Sequence, residues 1–269
     1  MSSPRGSRRH EVGLSLVELM ISLLLGSLVI IAATRLFLTN QQAFQMQQTQ
    51  SEAQEIGRYA LEYILADARR QGARLTSSGL IPDGPGATGP GTLVGEDDVT
   101  TSGRGGMGNI GSDRLVVRYY DSDAATPVDC EGTAVLTTGT TPRLIVNTYY
   151  LANYSDATGG ALLCDGNGDT NATGAEIATN VDGFQVLYGV AGSSSDTIPT
   201  RYVPFSGLGG NRVLGIRIAL LVRSSGQIAG VVRGLGYPLL DTAIPAASVL
   251  DDRRLRRLFI GTAYIRNLN

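Results

Sequence analysis

The sequence predicts an α+β fold in which one long N-terminal helix packs on an antiparallel β-sheet. Residues 36–71 contain no Pro and a single Gly, and good helix formers dominate them, so they continue the apolar stretch before them as a helix. The second half of the chain instead contains short runs in which apolar and polar residues alternate, the pattern of half-buried strands. An antiparallel sheet covered by one long helix is the economical arrangement of these parts.

The first element is an apolar stretch over residues 14–34, in which Glu18 is the only charged residue. As a helix it would be about 31 Å long, close to the roughly 30 Å hydrocarbon core of a bilayer. Three arginines precede it: Arg5, Arg8 and Arg9. A basic N-terminal flank indicates the cytoplasmic side. We therefore predict a leader over residues 1–13, a transmembrane helix over 14–35, and a domain in the periplasm.

An amphipathic helix is predicted over residues 36–72, as a continuation of the transmembrane helix into the domain. Apolar residues recur at helical spacing in its second half: Ile56, Ala60, Tyr63 and Ile64. Arg69 and Arg70 suit the last turn of a helix, and Gly72 suits the residue after it. The section after Ile56 can therefore pack on a sheet.

Residues 76–112 are rich in Gly and Pro, which predicts a long variable loop, and residues 113–269 are predicted to form a β-rich periplasmic domain. Strands are expected at residues 115–120, 144–151, 181–190, 216–223, 228–232 and 259–265. Ser248 and Asp251 resemble a capping box, so a short helix is expected from there to Leu258.

The composition argues against an enzyme. His10, in the leader, is the only histidine, and all 22 basic residues are Arg. A mature chain without His or Lys lacks Ser-His and Cys-His nucleophile pairs, a His-ligated zinc site and a Schiff-base lysine. An anchored periplasmic enzyme that uses only carboxylates remains as an alternative, although no paired-acid motif supports it. The formal net charge of −2 gives no indication of nucleic-acid binding.

Two cysteines, Cys130 and Cys164, lie beyond the transmembrane helix, on the side predicted to be periplasmic. Disulfides persist in that compartment, and the number of cysteines is even, so we predict a Cys130–Cys164 disulfide. Two free buried thiols are the alternative interpretation.

Glu18 is unusual for a plain membrane anchor, because a carboxylate inside a bilayer costs at least about 2.5 kcal/mol and usually has a partner. The segment Gly13-Leu14-Ser15-Leu16-Val17-Glu18 resembles the class III signal of type IV prepilins and pseudopilins. The resemblance implies that prepilin peptidase cleaves between Gly13 and Leu14 and that Leu14 is N-methylated. It also implies that Glu18 acts in assembly, pairing with the new amine of a neighbouring copy. A signal anchor with a chance Glu is the alternative.

The rest of the chain is similar to PilW-type minor pilins. The resemblance rests on residues 56–72, 163–166, 180–189 and 253–267. It implies a type IV pilin-like fold and a minor pilin that joins an initiation or tip complex for pilus biogenesis, motility and adhesion. The implied partners are prepilin peptidase, other minor pilins, the major pilin, the inner membrane and a PilY-type tip adhesin. A minor pseudopilin of a type II secretion system and a DNA-uptake pilin are the alternatives.

One loop has the spacing of a calcium site. Its candidate oxygen ligands are Asp165, Asn167, Asp169, Asn171 and Glu176. The position at which a calcium loop normally has Gly is Thr170, and the flanking segments are predicted to be strands. A polar turn between two strands, which needs no ion, is therefore the alternative. No other cofactor is expected.

Four arginines form the densest basic cluster of the sequence: Arg253, Arg254, Arg256 and Arg257. They could contact DNA or an acidic neighbouring subunit. The other interpretation is a solvated helix face whose charge is offset by Asp251 and Asp252. Because no aromatic residues are interleaved among these arginines, no nucleic-acid partner is expected.

Overall fold

The computed structural model contains two compact units, residues 1–47 and residues 48–269. It describes residues 15–71, 94–100, 105–121, 126–135, 143–170, 173–228 and 236–265. The first helix, α1, runs through both units from Leu16 to Ala68, 53 residues. The predicted long N-terminal helix is therefore confirmed.

In the first unit, α1 is exposed over all its described residues, and it is apolar from Leu19 to Thr34. It is the one helix among the described residues that is long and apolar enough to cross a membrane. Three hydroxyl side chains in this half are bonded within the helix: Ser27 to Leu24 O, Thr34 to Ile30 O and Thr39 to Arg35 O, at 2.8–2.9 Å. These bonds satisfy the hydroxyl donors internally, which suits a surface that lies in lipid.

The second unit is built on an antiparallel sheet of eight strands, in the order β1-β2-β3-β4-β5-β7-β10, with β6 paired to β5. The strands of this sheet are β1 Val94–Val99, β2 Ser112–Asp121, β3 Arg143–Ser155, β4 Gly159–Asp165, β5 Ala175–Val190, β6 Arg201–Val203, β7 Val213–Arg223 and β10 Arg256–Tyr264. A separate hairpin is formed by β8 Gly236–Leu239 and β9 Thr242–Pro245, which pair with no other strand of the described part of the chain. The predicted antiparallel sheet is therefore confirmed.

The second half of α1 packs on this sheet through small and aliphatic side chains. The buried helix residues Ala60, Leu61, Ile64, Leu65 and Ala68 share one core with side chains from β2 to β10. Gly57 is required at the closest approach, because a Cβ there would overlap the ring of Phe259 in β10. The expectation that the section after Ile56 packs on a sheet is therefore confirmed.

A smaller core lies where the β8–β9 hairpin meets the sheet. It joins Met107, Leu221, Leu239, Ile244 and Val249. A Cβ at Gly183 would lie 2.6 Å from Leu239 Cδ2, so any larger residue there would require the Leu239 side chain to shift.

Two sequence expectations differ from the structure. The short helix expected from Ser248 to Leu258 is wrong: a 3-10 turn spans Ala246–Ser248, and β10 begins at Arg256. Nine residue pairs between β10 and β7 outweigh the local capping preference of Ser248. Part of the predicted loop also forms a strand, because β1 pairs with β2. Most of the strand expected at residues 228–232 lies outside the described residues.

Candidate functional site

Glu18, the residue predicted to act in assembly, lies at the beginning of α1. Glu18 lies in its first turn, and the amide of Leu19 bonds Ser15 O at 3.1 Å. An acidic side chain in this position is favoured by the partial positive charge of a helix N-terminus. Gly13 and Leu14 lie outside the described residues, so cleavage between them and N-methylation of Leu14 stay predictions.

The predicted disulfide between Cys130 and Cys164 is confirmed. It joins the segment 126–135 to β4, with a Cα–Cα distance of 6.2 Å. Cys164 is fully buried in the main core. Tyr63 of α1 donates a hydrogen bond to Cys130 O at 2.7 Å, so the disulfide segment also contacts the helix.

Asp129 organises the loops on both sides of the disulfide. Its Oδ1 accepts from the amides of Glu131 and Thr133 at 3.0 Å, and its Oδ2 accepts from the amide of Gly168 at 2.7 Å. Glu131 accepts from the amide of Gly166 at 3.2 Å. Neither acid was predicted from the sequence, although an Asp followed by Gly three residues later is a turn signal.

The candidate calcium loop is held by direct protein contacts in its described part. The side chain of Asn167 accepts from the amide of Val146 and donates to Leu144 O, both at 3.0 Å, so it bridges the loop to β3. Asp165 ends β4, and Glu176 is an exposed residue of β5. The described residues include no group of three or more His, Cys, Asp and Glu placed to hold a metal. Because Asn171 lies outside the described residues, calcium binding stays a prediction.

Asp67 joins the C-terminal end of α1 to the sheet by hydrogen bonds. One of its oxygens accepts from Asn147 Nδ2 at 2.8 Å and from the hydroxyl of Tyr149 at 2.9 Å. Burial raises the pKa of Asp67, and these two bonds oppose that rise. Arg70 donates to the hydroxyl of Tyr119 at 3.0 Å and lies over its ring. These side chains line a cavity of about 190 Å³ beside the disulfide.

The basic cluster is divided between the interior and the surface. Arg256 is buried and bonds Asp182 and Asp252, each at 2.7 Å. Arg223, also buried, lies 3.6 Å from the same two acids, so the four side chains form one charge network. Arg254 donates to the carbonyls of Ser224 and Ser225, whereas Arg257 is exposed. The alternative of a solvated helix face is wrong, because Arg256 and Arg257 belong to a strand.

A long N-terminal helix, apolar in its first half and packed on an antiparallel sheet in its second, is the architecture that the sequence predicted. Residues 148–267 match the family described as Type IV Pilus-assembly protein W.

A type IV-like pilin from Thermus thermophilus is similar among solved structures, at 13% identity and a TM-score of 0.40, over 78% of this chain and 95% of that chain. No curated protein matches the chain.

Proposed function

We propose that this chain is a minor pilin of a type IV pilus. Prepilin peptidase cleaves it between Gly13 and Leu14 and methylates Leu14, and the mature subunit then joins an initiation or tip complex with other minor pilins. The observation that supports this proposal is α1, which is apolar and exposed from Leu16 to about Leu38 and buried against the sheet only from Ala53 onward. The family match of residues 148–267 supports the same role.

The mechanism follows from the chemistry of the first turn of α1. Before assembly the subunit lies in the bilayer, where placing the carboxylate of Glu18 costs at least about 2.5 kcal/mol in free energy. When α1 packs among similar helices, the methylated amine of a neighbouring mature chain can neutralise Glu18. The apolar side chains around Glu18 then gain contacts with neighbouring helices, and the lipid that surrounded them is released. Assembly is therefore favoured where the helices are in register.

In this proposal the domain lies on the periplasmic side of the membrane. The Cys130–Cys164 disulfide supports this location, because disulfides persist in the periplasm. The proposed partners there are the other minor pilins, the major pilin and a PilY-type tip adhesin. The folded domain is then carried to the cell surface in the pilus, where it supports motility and adhesion.

The test is the intact mass of the membrane-extracted chain, with and without prepilin peptidase, together with a pilus count in a deletion strain. We expect a chain that begins at Leu14 and carries one methyl group, and few or no pili in the deletion strain. Normal piliation with loss of protein secretion would instead identify a minor pseudopilin of a type II secretion system. An uncut chain in both strains would remove the basis of the proposal.

A further inference from the structure

The two edges of the main sheet differ in how they are protected. A strand edge exposes unpaired N–H and C=O groups, and proteins commonly protect it with charges, bulges, short strands or covering loops. β1, at one edge, has all of these features. It has six residues, three of which are acidic, and an irregular register between Glu96 and Val99. Asp97 accepts from the amides of Phe205 and Ser206 at 2.8 and 2.7 Å, so a 3-10 turn lies against this edge.

β10, at the other edge, has none of these features over most of its length. It pairs with β7 over nine residues without a register shift. Residues 258–264 include no charge and no Pro. Among the described residues, β7 is the only strand paired to β10. Two of its apolar side chains, Ile260 and Tyr264, are 51% and 53% exposed.

The pairing also shows which backbone groups of β10 point outward. Just beyond the ends of the paired region, Leu255 O accepts from Ser224 and the amide of Ile265 donates to Leu214 O. Hydrogen-bonded and non-bonded positions alternate in an antiparallel pair, so the odd-numbered residues of β10 bond β7. The even-numbered residues therefore direct their N–H and C=O groups to the open edge. These residues are Leu258, Ile260, Thr262 and Tyr264.

We propose that the open edge of β10 accepts an extended strand from a different subunit of the pilus-assembly complex, adding that strand to the sheet. This inference rests on the proposed function for the identity of the partner. The backbone groups of the even-numbered residues supply the hydrogen bonds, and the side chains of Ile260 and Tyr264 contact alternate side chains of the incoming strand. We expect the residues of the incoming strand that pair with Leu258–Tyr264 to be uncharged. We also expect its residue beside Arg257 not to be basic.

A second copy of this chain does not suit the open edge of β10, whether the two β10 strands pair antiparallel or parallel. Gly57 of α1 approaches Phe259, and Leu61 and Leu65 approach Gly261, so this half of α1 runs in the same direction as β10. If two β10 strands paired antiparallel, the α1 helices of the two copies would therefore run in opposite directions. The α1 helices of subunits anchored in one membrane run in the same direction, so this pairing is unfavourable. Two β10 strands paired parallel and in register would place Arg257 beside Arg257, and like charges on neighbouring strands are unfavourable.

Photocrosslinking in cells that express the full chain with the complete pilus system tests the proposal. A photoreactive p-benzoylphenylalanine replaces Tyr264 in one strain and Glu96, at the protected edge, in a matched control strain. We expect an adduct only from position 264, with another pilus subunit, crosslinked within an extended uncharged segment. An adduct with a second copy of this chain, equal adducts from both positions, or no adduct from position 264 would each overturn the proposal.

A second substitution separates edge pairing from simple proximity. Ile260→Pro removes an outward N–H that β7 does not use, and Pro is tolerated on edge strands at such positions. Ile260→Val keeps the N–H. We expect Ile260→Pro to lower the adduct at position 264 about tenfold, the effect of roughly one lost hydrogen bond, while Ile260→Val leaves it unchanged. Equal adducts from both variants would contradict strand addition, provided that their thermal midpoints match.

The same strains separate this inference from the proposed function. A photoreactive group at Phe37, in the apolar half of α1, reports packing among pilus helices. If Phe37 crosslinks to pilus subunits and Tyr264 does not, strand addition is wrong and the minor pilin role stands. If neither position crosslinks and the deletion strain has normal pili, the proposed function itself is wrong.

Discussion

Asp182 and Arg256 form an ion pair inside the protein, with 2.7 Å between Asp182 Oδ2 and Arg256 Nε. Their side chains are 0% and 2% exposed. The pair joins β5, next to the middle of the sheet, to the first residue of the edge strand β10. Its position indicates that the start of β10 is defined by charge pairing as well as by backbone hydrogen bonds.

Removing one partner of this pair is therefore expected to destabilise the domain. Arg256→Met leaves the carboxylate of Asp182 buried with only Arg223 at 3.6 Å, so we expect a loss of about 3 kcal/mol in the free energy of unfolding. Urea unfolding of the detergent-solubilised full chain measures the loss. The control is Arg257→Met, on the next residue, which is exposed and should change stability by less than about 0.5 kcal/mol. Similar losses in both variants would contradict the role of the buried pair.

Gly57 is expected to be intolerant of even a methyl group. Gly57→Ala gains helix propensity, but its Cβ overlaps the ring of Phe259, so a net loss of about 1–2 kcal/mol is expected. The matched variant is Gly26→Ala on the same helix, where a Cβ has no neighbour within 4 Å. Thermal midpoints should fall for Gly57→Ala and not for Gly26→Ala. A midpoint for Gly57→Ala at or above the wild-type value would show that Phe259 moves aside without cost.

The disulfide is expected to stabilise the domain substantially. In the chain-entropy model, a bridge between residues 34 positions apart contributes about 4 kcal/mol. Cys130→Ser with Cys164→Ser should therefore lower the thermal midpoint, and a reductant should lower that of the wild type to a similar value. The double variant itself should not respond to reductant. A wild-type midpoint that does not change under full reduction would contradict this prediction.

Asp113 is expected to make stability depend on pH. Its carboxyl accepts from the amides of Asp98 and Val186 at 2.9 and 2.6 Å, and burial raises its pKa to about 8. A carboxyl with a raised folded-state pKa binds its proton more tightly in the folded protein. Its contribution is therefore most favourable below its unfolded pKa, near 4, and declines as pH rises to about 8, by at most about 1.4 kcal/mol per pH unit.

Urea midpoints measured between pH 5 and 8 test this dependence, because this pH range lies between the unfolded-state and folded-state pKa values of Asp113. Asp113→Asn should reduce the decline. Part of the decline in stability should remain in this variant, because the pKa values of the buried acids Asp67 and Asp182 are also raised. Asp196→Asn serves as the control, because Ser193 bonds the exposed carboxyl of Asp196 and lowers its pKa. An unchanged pH slope for Asp113→Asn would assign the dependence to other groups.

Glu18→Ala is expected to leave cleavage at Gly13 intact and to lower the amount of the chain incorporated into sheared pili. The reason is that alanine cannot pair with the amine of a neighbouring chain, while the cleavage site itself is unchanged. Glu55→Ala, at an exposed position further along the same helix, is the control and should be incorporated normally. Immunoblots of sheared pili and membranes measure both. Normal incorporation of the Glu18→Ala chain would argue against the pairing role.

Local sequence patterns predicted the parts of the fold that depend on neighbours along the chain. The apolar run after Glu18 and the helical spacing of Ile56, Ala60 and Ile64 were sufficient to predict α1. Cys130 and Cys164 could be paired because the chain contains no other cysteine. These signals do not require knowledge of the register between distant strands.

The contacts between distant segments could not be predicted in the same way. Asp67 meets Asn147 across 80 positions of the chain, and Arg256 meets Asp182 across 74. Neither spacing has a motif, because the sheet register decides which polar side chains meet. The helix expected near Leu258 failed for the same reason: pairing with β7 overrode a local capping signal.

The internal hydroxyl bonds of α1 have a consequence for how subunits align. Ser27, Thr34 and Thr39 bond carbonyls of their own helix, and residues 19–34 carry no charge. The apolar half of the helix therefore has nearly the same affinity for a neighbouring helix at many axial offsets. In the assembly proposed above, Glu18 would be the charged residue of this half that distinguishes one offset from the next, each step being about 1.5 Å. A helix of this design would then align with its neighbours at a single charged position.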